Sequence, residues 1–187
     1  MKNQRLKSFL LHPNTLTMFR IAAAPVIVIL LMMPNRFTAF IAGLVFSAAA
    51  ITDYFDGYLA RRYGLVSNLG KVMDPVADKL LVSSTMIMLS ALGWMPAWIA
   101  CIIVGRELAV TGLRNIIAEN RADVSASSLG KYKTGFQIAA MIPLMLHYPA
   151  LGFDFQALGM VFLWCALILT LWSGADYFFR FRKLLKG

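Results

Sequence analysis

Four aspartates stand close together in an otherwise apolar chain, and their spacing suits metal-assisted phosphate chemistry. Asp53 and Asp56 are three residues apart, and Asp74 and Asp78 are four apart. In an α-helix, residues three or four apart lie on one face, so each pair would present two carboxylates together. Carboxylate oxygens are the ligands that Mg²⁺ and Mn²⁺ prefer, and substrate phosphates commonly complete their coordination shells. The four acids therefore predict a site for two divalent cations and a phosphate-bearing substrate.

Two other interpretations of the acids stay open at this point. In the first, the acids only form ion pairs with nearby cations such as Arg61 and Lys79. The pairing of acids on two helices disfavours it, and so do Gly57 and Ala60, which leave room on the same face as the first pair. In the second, the acids line the cation or proton pathway of a transporter. Their position near one membrane face, and the absence of a second half of the chain that mirrors the first, argue against a pathway.

The elements that carry these acids are predicted to be membrane-spanning helices. Of the 187 residues, 59% are hydrophobic and only 14% are charged, whereas soluble domains carry about 25% charged residues. A helix needs about 20 mostly apolar residues to cross a bilayer. Six stretches qualify, at 14–33, 37–60, 75–94, 96–116, 130–149 and 155–178. We therefore predict an all-α integral membrane protein in which residues 1–187 form a single domain with six transmembrane helices.

The segment before the first span is predicted to lie on the membrane surface. Residues 1–12 combine Lys2, Arg5 and Lys7 with several apolar side chains, which is typical of a short amphipathic juxtamembrane helix. A frayed tail is the alternative. The cations also resemble the start of a signal peptide, but Arg20 interrupts the apolar run and Pro25 follows its small residues directly. We therefore predict a retained first span.

Lys and Arg residues are distributed unequally between the two predicted membrane faces. Six spans place both termini on one side, together with the segments after the second and fourth spans. Those segments hold most of the 18 Lys and Arg, whereas the opposite loops hold only Arg36. The positive-inside rule makes the cation-rich face cytosolic. We expect both termini and the active site to face the cytosol of a bacterial inner or plasma membrane, and the net charge of +9 needs no nucleic acid to explain it.

Three tryptophans near the ends of the predicted spans suit the membrane interface. They are Trp94, Trp98 and Trp172. Because the tryptophan ring is apolar and its N–H group is polar, this residue collects at the boundary between lipid and water. We therefore predict that all three are interface anchors.

The acids belong to a longer pattern with fixed spacing. The pattern reads D-x₂-D-G-x₂-A-R-x₈-G-x₃-D-x₃-D. Its fixed positions are Asp53, Asp56, Gly57, Ala60, Arg61, Gly70, Asp74 and Asp78. It resembles the signature of the CDP-alcohol phosphatidyltransferase family, with no departure at any fixed position. The layout of six spans with cytosolic termini is also similar to that family, so the resemblance covers nearly the whole chain.

The resemblance implies an enzyme that moves a phosphatidyl group from a CDP-linked lipid to an alcohol and releases CMP. It implies two divalent ions, Mg²⁺ or Mn²⁺, on the four aspartates, with Asp78 as the general base on the acceptor hydroxyl. It also implies a homodimer, since the family is commonly dimeric. The residues that the resemblance assigns to the CDP moiety are Gly57, Ala60, Arg61 and Gly70. Small side chains let a nucleotide approach the helix, and an arginine fork can pair with a phosphate.

Further segments resemble the branch of the family that uses glycerol 3-phosphate as the acceptor. They are residues 13–20, 74–79, 105–108 with 113–114, 130–134 and 169–173. The resemblance therefore implies CDP-diacylglycerol and glycerol 3-phosphate as substrates and phosphatidylglycerophosphate as a product of phospholipid biosynthesis. A sister enzyme with another acceptor is the alternative, for instance a cardiolipin synthase that uses phosphatidylglycerol. A divalent-cation transporter is a more distant one.

Four cations of the fourth and fifth spans are candidates for binding the phosphate of the acceptor. They are Arg106, Arg114, Lys131 and Lys133. Arg106 and Arg114 are eight residues apart, so they lie roughly on one side of a helix, and an arginine fork suits a phosphate. Positive-inside anchoring explains the loop cations without a ligand, and a structural ion pair with Glu107 is the alternative for Arg106.

The start of the first span offers two further candidates for nucleotide binding. Asn14, Thr17 and Arg20 recur at helical spacing, so they would share one face beside the predicted metal site. Asn14 and Thr17 are therefore predicted to line the nucleotide cavity. Capping of the helix by Asn14 or Thr15 is the alternative explanation for these polar side chains.

Overall fold

The computed structural model describes the backbone of residues 13–63, 68–119, 128–149 and 152–181. Within these ranges the chain forms six α-helices and no β-strand. The helices are α1 (Pro13–Met32), α2 (Arg36–Tyr63), α3 (Asn68–Ala91), α4 (Ala97–Glu119), α5 (Ser128–Met145) and α6 (Phe155–Phe181). Each predicted apolar stretch corresponds to one helix, which confirms the all-α prediction. The predicted juxtamembrane helix at residues 1–12 lies outside the described residues.

Helices α2 and α3 extend further than their apolar stretches predicted. The expected boundaries were residues 60 and 75, but α2 continues to Tyr63 and α3 already begins at Asn68. Hydropathy locates the apolar part of a helix and not its polar turns, which residues such as arginine and leucine readily extend. Asp74 therefore lies six residues inside α3, and the signature is helical on both sides of residues 64–67.

Short polar turns set the start of α2, the start of α6 and the end of α3. The side-chain oxygen of Asn35 accepts hydrogen bonds from the backbone N–H groups two and three residues later, at 2.9 and 3.0 Å. Asp154 accepts an equivalent bond from Ala157 at the start of α6, at 3.0 Å. Such N-caps satisfy donors that the first helical turn leaves unpaired. Gly93 follows the end of α3 with a φ of 72°, a left-handed conformation that glycine adopts without strain.

Helix α1 packs along both α2 and α3, while α5 packs most extensively against α6. Further contacts join α2 with α5, α3 with α4 and α5, and α4 with α6. The fully buried side chains between them include Ile27, Phe46, Met86, Ile103 and Met141. A glycine permits the close approach of α5 and α6, because a Cβ atom on Gly159 would lie 2.7 Å from Leu144 Cγ. A larger residue at this position would push the two helices apart.

Large apolar side chains also cover the outside of the bundle. Exposed examples on different helices are Ile29, Phe37, Ile87, Leu108 and Val161. Exposed apolar surfaces of this extent are unusual for a soluble monomer and suit contact with lipid. Within the described ranges, one helical segment, Phe155–Phe179, is long and apolar enough to cross a membrane, with a mean hydropathy of 1.9. Shorter apolar segments cover Thr17–Met32 and Arg36–Thr52, and the complete six-span layout stays a prediction.

Candidate active site

The signature aspartates lie near the adjoining ends of α2 and α3. The backbone is helical at all four positions. Tyr63 ends α2 and Asn68 begins α3, and a chain of five residues spans at most about 18 Å. Asp56 and Asp74 are each within seven residues of those ends, which corresponds to about 10 Å of helix. The fold therefore brings both acid pairs to one end of the bundle, which we call the signature end.

The chemistry of these residues fits a divalent cation. Four carboxylates supply only hard oxygen ligands, and the spacing within each pair is retained in the helices. Asp78 is half-buried and interacts electrostatically with Lys79 and Lys133. Several predicted site residues have side chains outside the described part of the structure. They are Asp53, Asp56, Asp74, Gly57, Ala60, Arg61, Gly70, Asn14 and Lys131.

No cluster of three or more His, Cys, Asp or Glu side chains forms a metal site among the side chains that the structure describes. Three of the four signature aspartates have side chains outside that part. The two-metal site therefore stays a prediction that depends on the signature and on the backbone positions of its residues.

Glu107 on α4 joins two of the predicted phosphate-binding cations. Lys133 Nζ, which α5 contributes, donates a hydrogen bond to Glu107 Oε1. Arg106 Nη1 lies 3.4 Å from the same oxygen. Arg106 Nη2 also donates to Ser173 Oγ on α6, at 3.0 Å. Side chains from three helices are therefore joined, because Arg106 links the Glu107 carboxylate to Ser173. Lys133 is only 4% exposed.

Lys79 extends this group of charges towards the signature. It is half-buried on α3 and interacts electrostatically with Glu107, Arg114 and Asp78. We call Lys79, Arg106, Glu107 and Lys133 the Glu107 cluster. It contains three cations and one carboxylate, so positive charge is in excess by two within the cluster and by one when Asp78 is counted. Because Lys79 and Lys133 both interact with Asp78, the cluster adjoins the signature.

Arg114 lies at the side of the cluster. Its side chain is exposed, and its guanidinium carbon lies 6.0 Å from the centre of the Tyr177 ring. This distance is at the outer limit of a cation–π contact. Arg106 and Lys133 share one carboxylate. Arg114 carries the same sign of charge as Arg106 and Lys79 and interacts with both of them by electrostatic repulsion.

Helix α1 contributes buried polar residues near the acids. Thr17 and Arg20 are buried, with Arg20 only 2% exposed, and both make polar or electrostatic interactions within the structure. Three residues join α1 to α2 and the two helices pack along each other. They therefore run antiparallel, with the start of α1 beside the acid-bearing part of α2. That Thr17 borders a nucleotide cavity stays a prediction.

The sequence did not identify Glu107, Lys79 and Ser173 as site residues. The sequence could have identified Glu107 and Lys79, because an ionisable residue within an apolar helix is a candidate for a functional role. Ser173 carried no such signal, because its hydrogen bond to Arg106 joins residues 67 positions apart.

Comparisons with known proteins agree with the signature. Residues 10–172 match the family model described as CDP-alcohol phosphatidyltransferase. The chain is 40% identical to a protein of Bacillus subtilis (strain 168), over 93% of this chain and 96% of the relative. It is 40% identical to one of Rickettsia bellii (strain RML369-C), over 91% and 95% of the two chains. It is 36% identical to one of Escherichia coli (strain K12), over 88% and 91%.

All three relatives are named CDP-diacylglycerol–glycerol-3-phosphate 3-phosphatidyltransferase. The family model and the relatives both cover most of the chain, which includes the signature and the Glu107 cluster. The protein therefore belongs to the CDP-alcohol phosphatidyltransferase family, as its signature predicted.

Proposed function

We propose that this protein transfers the phosphatidyl group of CDP-diacylglycerol to glycerol 3-phosphate and releases CMP. Membership of the family and the names of the relatives support this reaction. The structural observation that carries the choice of acceptor is the Glu107 cluster beside Asp78. Its three cations outnumber its one carboxylate, and they still do so when Asp78 is counted as a second acid. Buried charge is costly unless it is compensated. A dianionic phosphate supplies the missing charge, whereas serine or a neutral alcohol does not.

The acceptor phosphate is proposed to bind between Arg106 and Lys133. A guanidinium offers a planar fork to two phosphate oxygens, and an ammonium adds a compact point charge. Both groups are largely withdrawn from solvent, which strengthens their attraction for an anion. Lys131 and Arg114 are proposed to attract the acceptor and complete the site from the neighbouring turns of α5 and α4.

Asp78 is proposed to accept the proton of the acceptor's 1-hydroxyl group, directly or through a water molecule. The hydroxyl oxygen then forms a bond to the phosphorus on the lipid side of the pyrophosphate. The bond between that phosphorus and the oxygen of CMP breaks, and CMP leaves with the bonding electrons. The electrostatic interaction of Lys133 with Asp78 supports this assignment, because a phosphate held at Lys133 keeps the short glycerol chain near the carboxylate.

The donor is proposed to bind at the signature. Two Mg²⁺ or Mn²⁺ ions would be held by Asp53, Asp56, Asp74 and Asp78. When bound, they supply positive charge that neutralises the pyrophosphate and the departing CMP. The residues proposed to border the nucleotide are Asn14, Thr17, Gly57, Ala60, Arg61 and Gly70. Small residues admit the nucleotide to the surface of α2, and the Arg61 fork pairs with a phosphate.

We further propose that residues 1–187 form one domain whose six helices all cross a bacterial inner or plasma membrane. The exposed apolar side chains and the apolar helix Phe155–Phe179 support this arrangement. The distribution of Lys and Arg supports a cytosolic location for both termini and for the active site, with residues 1–12 as a surface helix. A donor with its acyl chains in the bilayer would then present its pyrophosphate at headgroup depth. The homodimer predicted from the family resemblance belongs to the same proposal.

The test is an acceptor panel with the purified full-length protein, CDP-diacylglycerol and Mg²⁺. We expect CMP release with glycerol 3-phosphate, together with phosphatidylglycerophosphate as the lipid product. CMP release that depends on phosphatidylglycerol, serine or inositol phosphate would assign a sister activity and contradict the proposed acceptor. Flux of Mg²⁺ into proteoliposomes without any CMP chemistry would contradict the enzyme.

A further inference from the structure

We propose that Glu107 is a positioning residue, which holds Arg106 and Lys133 in the arrangement that binds the acceptor phosphate. The inference rests on the proposed function. Nothing in the signature includes Glu107, which lies on a different helix from all four aspartates. Its assignment depends on the contacts that its carboxylate makes.

One carboxylate oxygen holds both cations. Glu107 Oε1 accepts the hydrogen bond of Lys133 Nζ and lies 3.4 Å from Arg106 Nη1. All three side chains are largely withdrawn from solvent. Two cations in such a place repel each other when no anion lies between them. Glu107 therefore keeps them close together before any substrate arrives.

Arg106 is also fixed from the side of α6. Its Nη2 donates to Ser173 Oγ at 3.0 Å, and Ser173 Oγ in turn donates to the backbone carbonyl of Thr170 at 3.2 Å. Gly174 gives the arginine stem its room, because a Cβ atom there would lie 3.2 Å from Arg106 Cγ. A guanidinium has five N–H donors, so the contacts with Glu107 and Ser173 leave others for a phosphate.

This arrangement predicts the direction in which acceptor binding changes without Glu107. If the carboxylate positions the cations, its removal lets them separate. Part of the binding free energy of glycerol 3-phosphate is then used to bring them together again, and the KM rises. If the carboxylate only competes with the phosphate, its removal raises the positive potential and tightens acceptor binding. The sign of the change in KM therefore separates positioning from competition.

The experiment compares Glu107→Gln with wild type, both as purified full-length protein. CMP release is measured against glycerol 3-phosphate at saturating CDP-diacylglycerol, and then with the two substrates exchanged. We expect the KM for glycerol 3-phosphate to rise about tenfold, with less than a twofold change for CDP-diacylglycerol. Glu107→Asp keeps the charge on a shorter side chain, so its KM for glycerol 3-phosphate should lie between those of wild type and Glu107→Gln.

Asp154→Asn is the matched control, because it removes one carboxylate at the opposite end of the bundle. Asparagine caps a helix as well as aspartate does, so α6 should keep its first turn. Both KM values should equal those of wild type. If they also rise, the response of Glu107→Gln is a general effect of lost charge and the inference fails.

Several results would overturn the inference. A KM for glycerol 3-phosphate that is unchanged or lower in Glu107→Gln contradicts positioning, and an equal rise in both KM values indicates a general structural role. If Glu107→Gln does not fold, Glu107→Asp and Ser173→Ala decide, and unchanged acceptor KM in both contradicts the inference. Wild-type protein that releases no CMP with glycerol 3-phosphate would instead refute the proposed function.

Discussion

The two ends of the helix bundle differ in how far their polar groups are compensated by contacts within the protein. At the end away from the signature, the Trp94 ring stacks on His147 with centroids 4.5 Å apart. Gln156 Nε2 donates a hydrogen bond to the Trp94 carbonyl at 2.6 Å, and Gln156 Oε1 lies 2.9 Å from His147 Nδ1. These groups satisfy one another. At the signature end, by contrast, the Glu107 cluster holds an excess of positive charge beside Asp78.

This difference separates polar groups that are satisfied within the protein from charges that we propose bind a ligand. The contacts of Trp94, His147 and Gln156 join the turn after α3 to the start of α6, and they are complete without any added molecule. Among the described side chains of the Glu107 cluster and Asp78, three cations face two carboxylates and leave one positive charge in excess, and burial makes uncompensated charge costly. We therefore attribute stability to the first set of contacts, and we propose that the second set binds substrate.

The largest effect should follow the loss of the proposed base. Asp78→Asn keeps the size of the side chain but removes proton acceptance and one metal ligand. We expect kcat to fall by about 10³-fold, since general-base catalysis alone contributes about 10²- to 10⁴-fold. The measurement is CMP release at saturating substrates, with thermal unfolding as the check on folding. A folded variant that retains more than a tenth of the wild-type kcat would contradict the assignment.

Arg106→Ala should come next, with its main effect on the acceptor. A hydrogen bond to a charged group contributes about 1.5–3 kcal/mol, so the KM for glycerol 3-phosphate should rise roughly 10- to 100-fold. Arg106→Lys keeps the charge but loses the planar fork, and its KM should be intermediate. If the KM for CDP-diacylglycerol rises as strongly in either variant, the effect of Arg106 is not specific to the acceptor, and its assignment to the acceptor phosphate is contradicted.

Gln156→Ala should affect stability and leave substrate binding unchanged. It removes the hydrogen bond to the Trp94 carbonyl and the contact with His147. A lost hydrogen bond of this kind costs about 1 kcal/mol, which should appear as a lower unfolding temperature in detergent. Both KM values should stay within twofold of wild type. A selective rise in the acceptor KM would show that the two ends of the bundle are not independent.

Arg114→Ala should produce the smallest change. The side chain is exposed, so water screens its attraction for a phosphate. We expect the KM for glycerol 3-phosphate to rise about threefold, less than 1 kcal/mol. The measurement is the same acceptor titration as for Arg106→Ala. An unchanged KM would remove Arg114 from the acceptor site, and an effect as large as that of Arg106→Ala would contradict the ranking by burial.

The sequence predicts the features of this fold that are local. Apolar length indicated six helices, and the spacing of Asp53 with Asp56 and of Asp74 with Asp78 indicated shared faces. Helix ends were less predictable, because α3 starts in a polar segment at Asn68. The position of the acids at one end of the bundle followed from the order of the spans, because the second predicted span ends and the third begins at the same membrane face.

Contacts between distant segments could not be predicted in this way. The partners of Arg106 and Lys133 meet across 67 and 26 residues of chain, and hydropathy says nothing about such pairs. The tryptophans give a similar lesson. Trp98 and Trp172 are 50% and 66% exposed, in keeping with interface anchors, but Trp94 is only 7% exposed. The turn after Gly93 folds Trp94 onto His147, and the prediction for Trp94 was therefore wrong.

Binding of the acceptor phosphate by the Glu107 cluster is tested most directly by comparing glycerol 3-phosphate with glycerol as acceptors of the wild-type protein. The two molecules share the attacking hydroxyl group and differ only in the phosphate that the Glu107 cluster is proposed to bind. Initial rates of CMP release from CDP-diacylglycerol in the presence of Mg²⁺ give kcat/KM for each. We expect kcat/KM for glycerol 3-phosphate to be at least about 10³-fold higher than for glycerol, because glycerol loses several charge-assisted contacts. Comparable values for the two acceptors would contradict binding of the phosphate by the cluster.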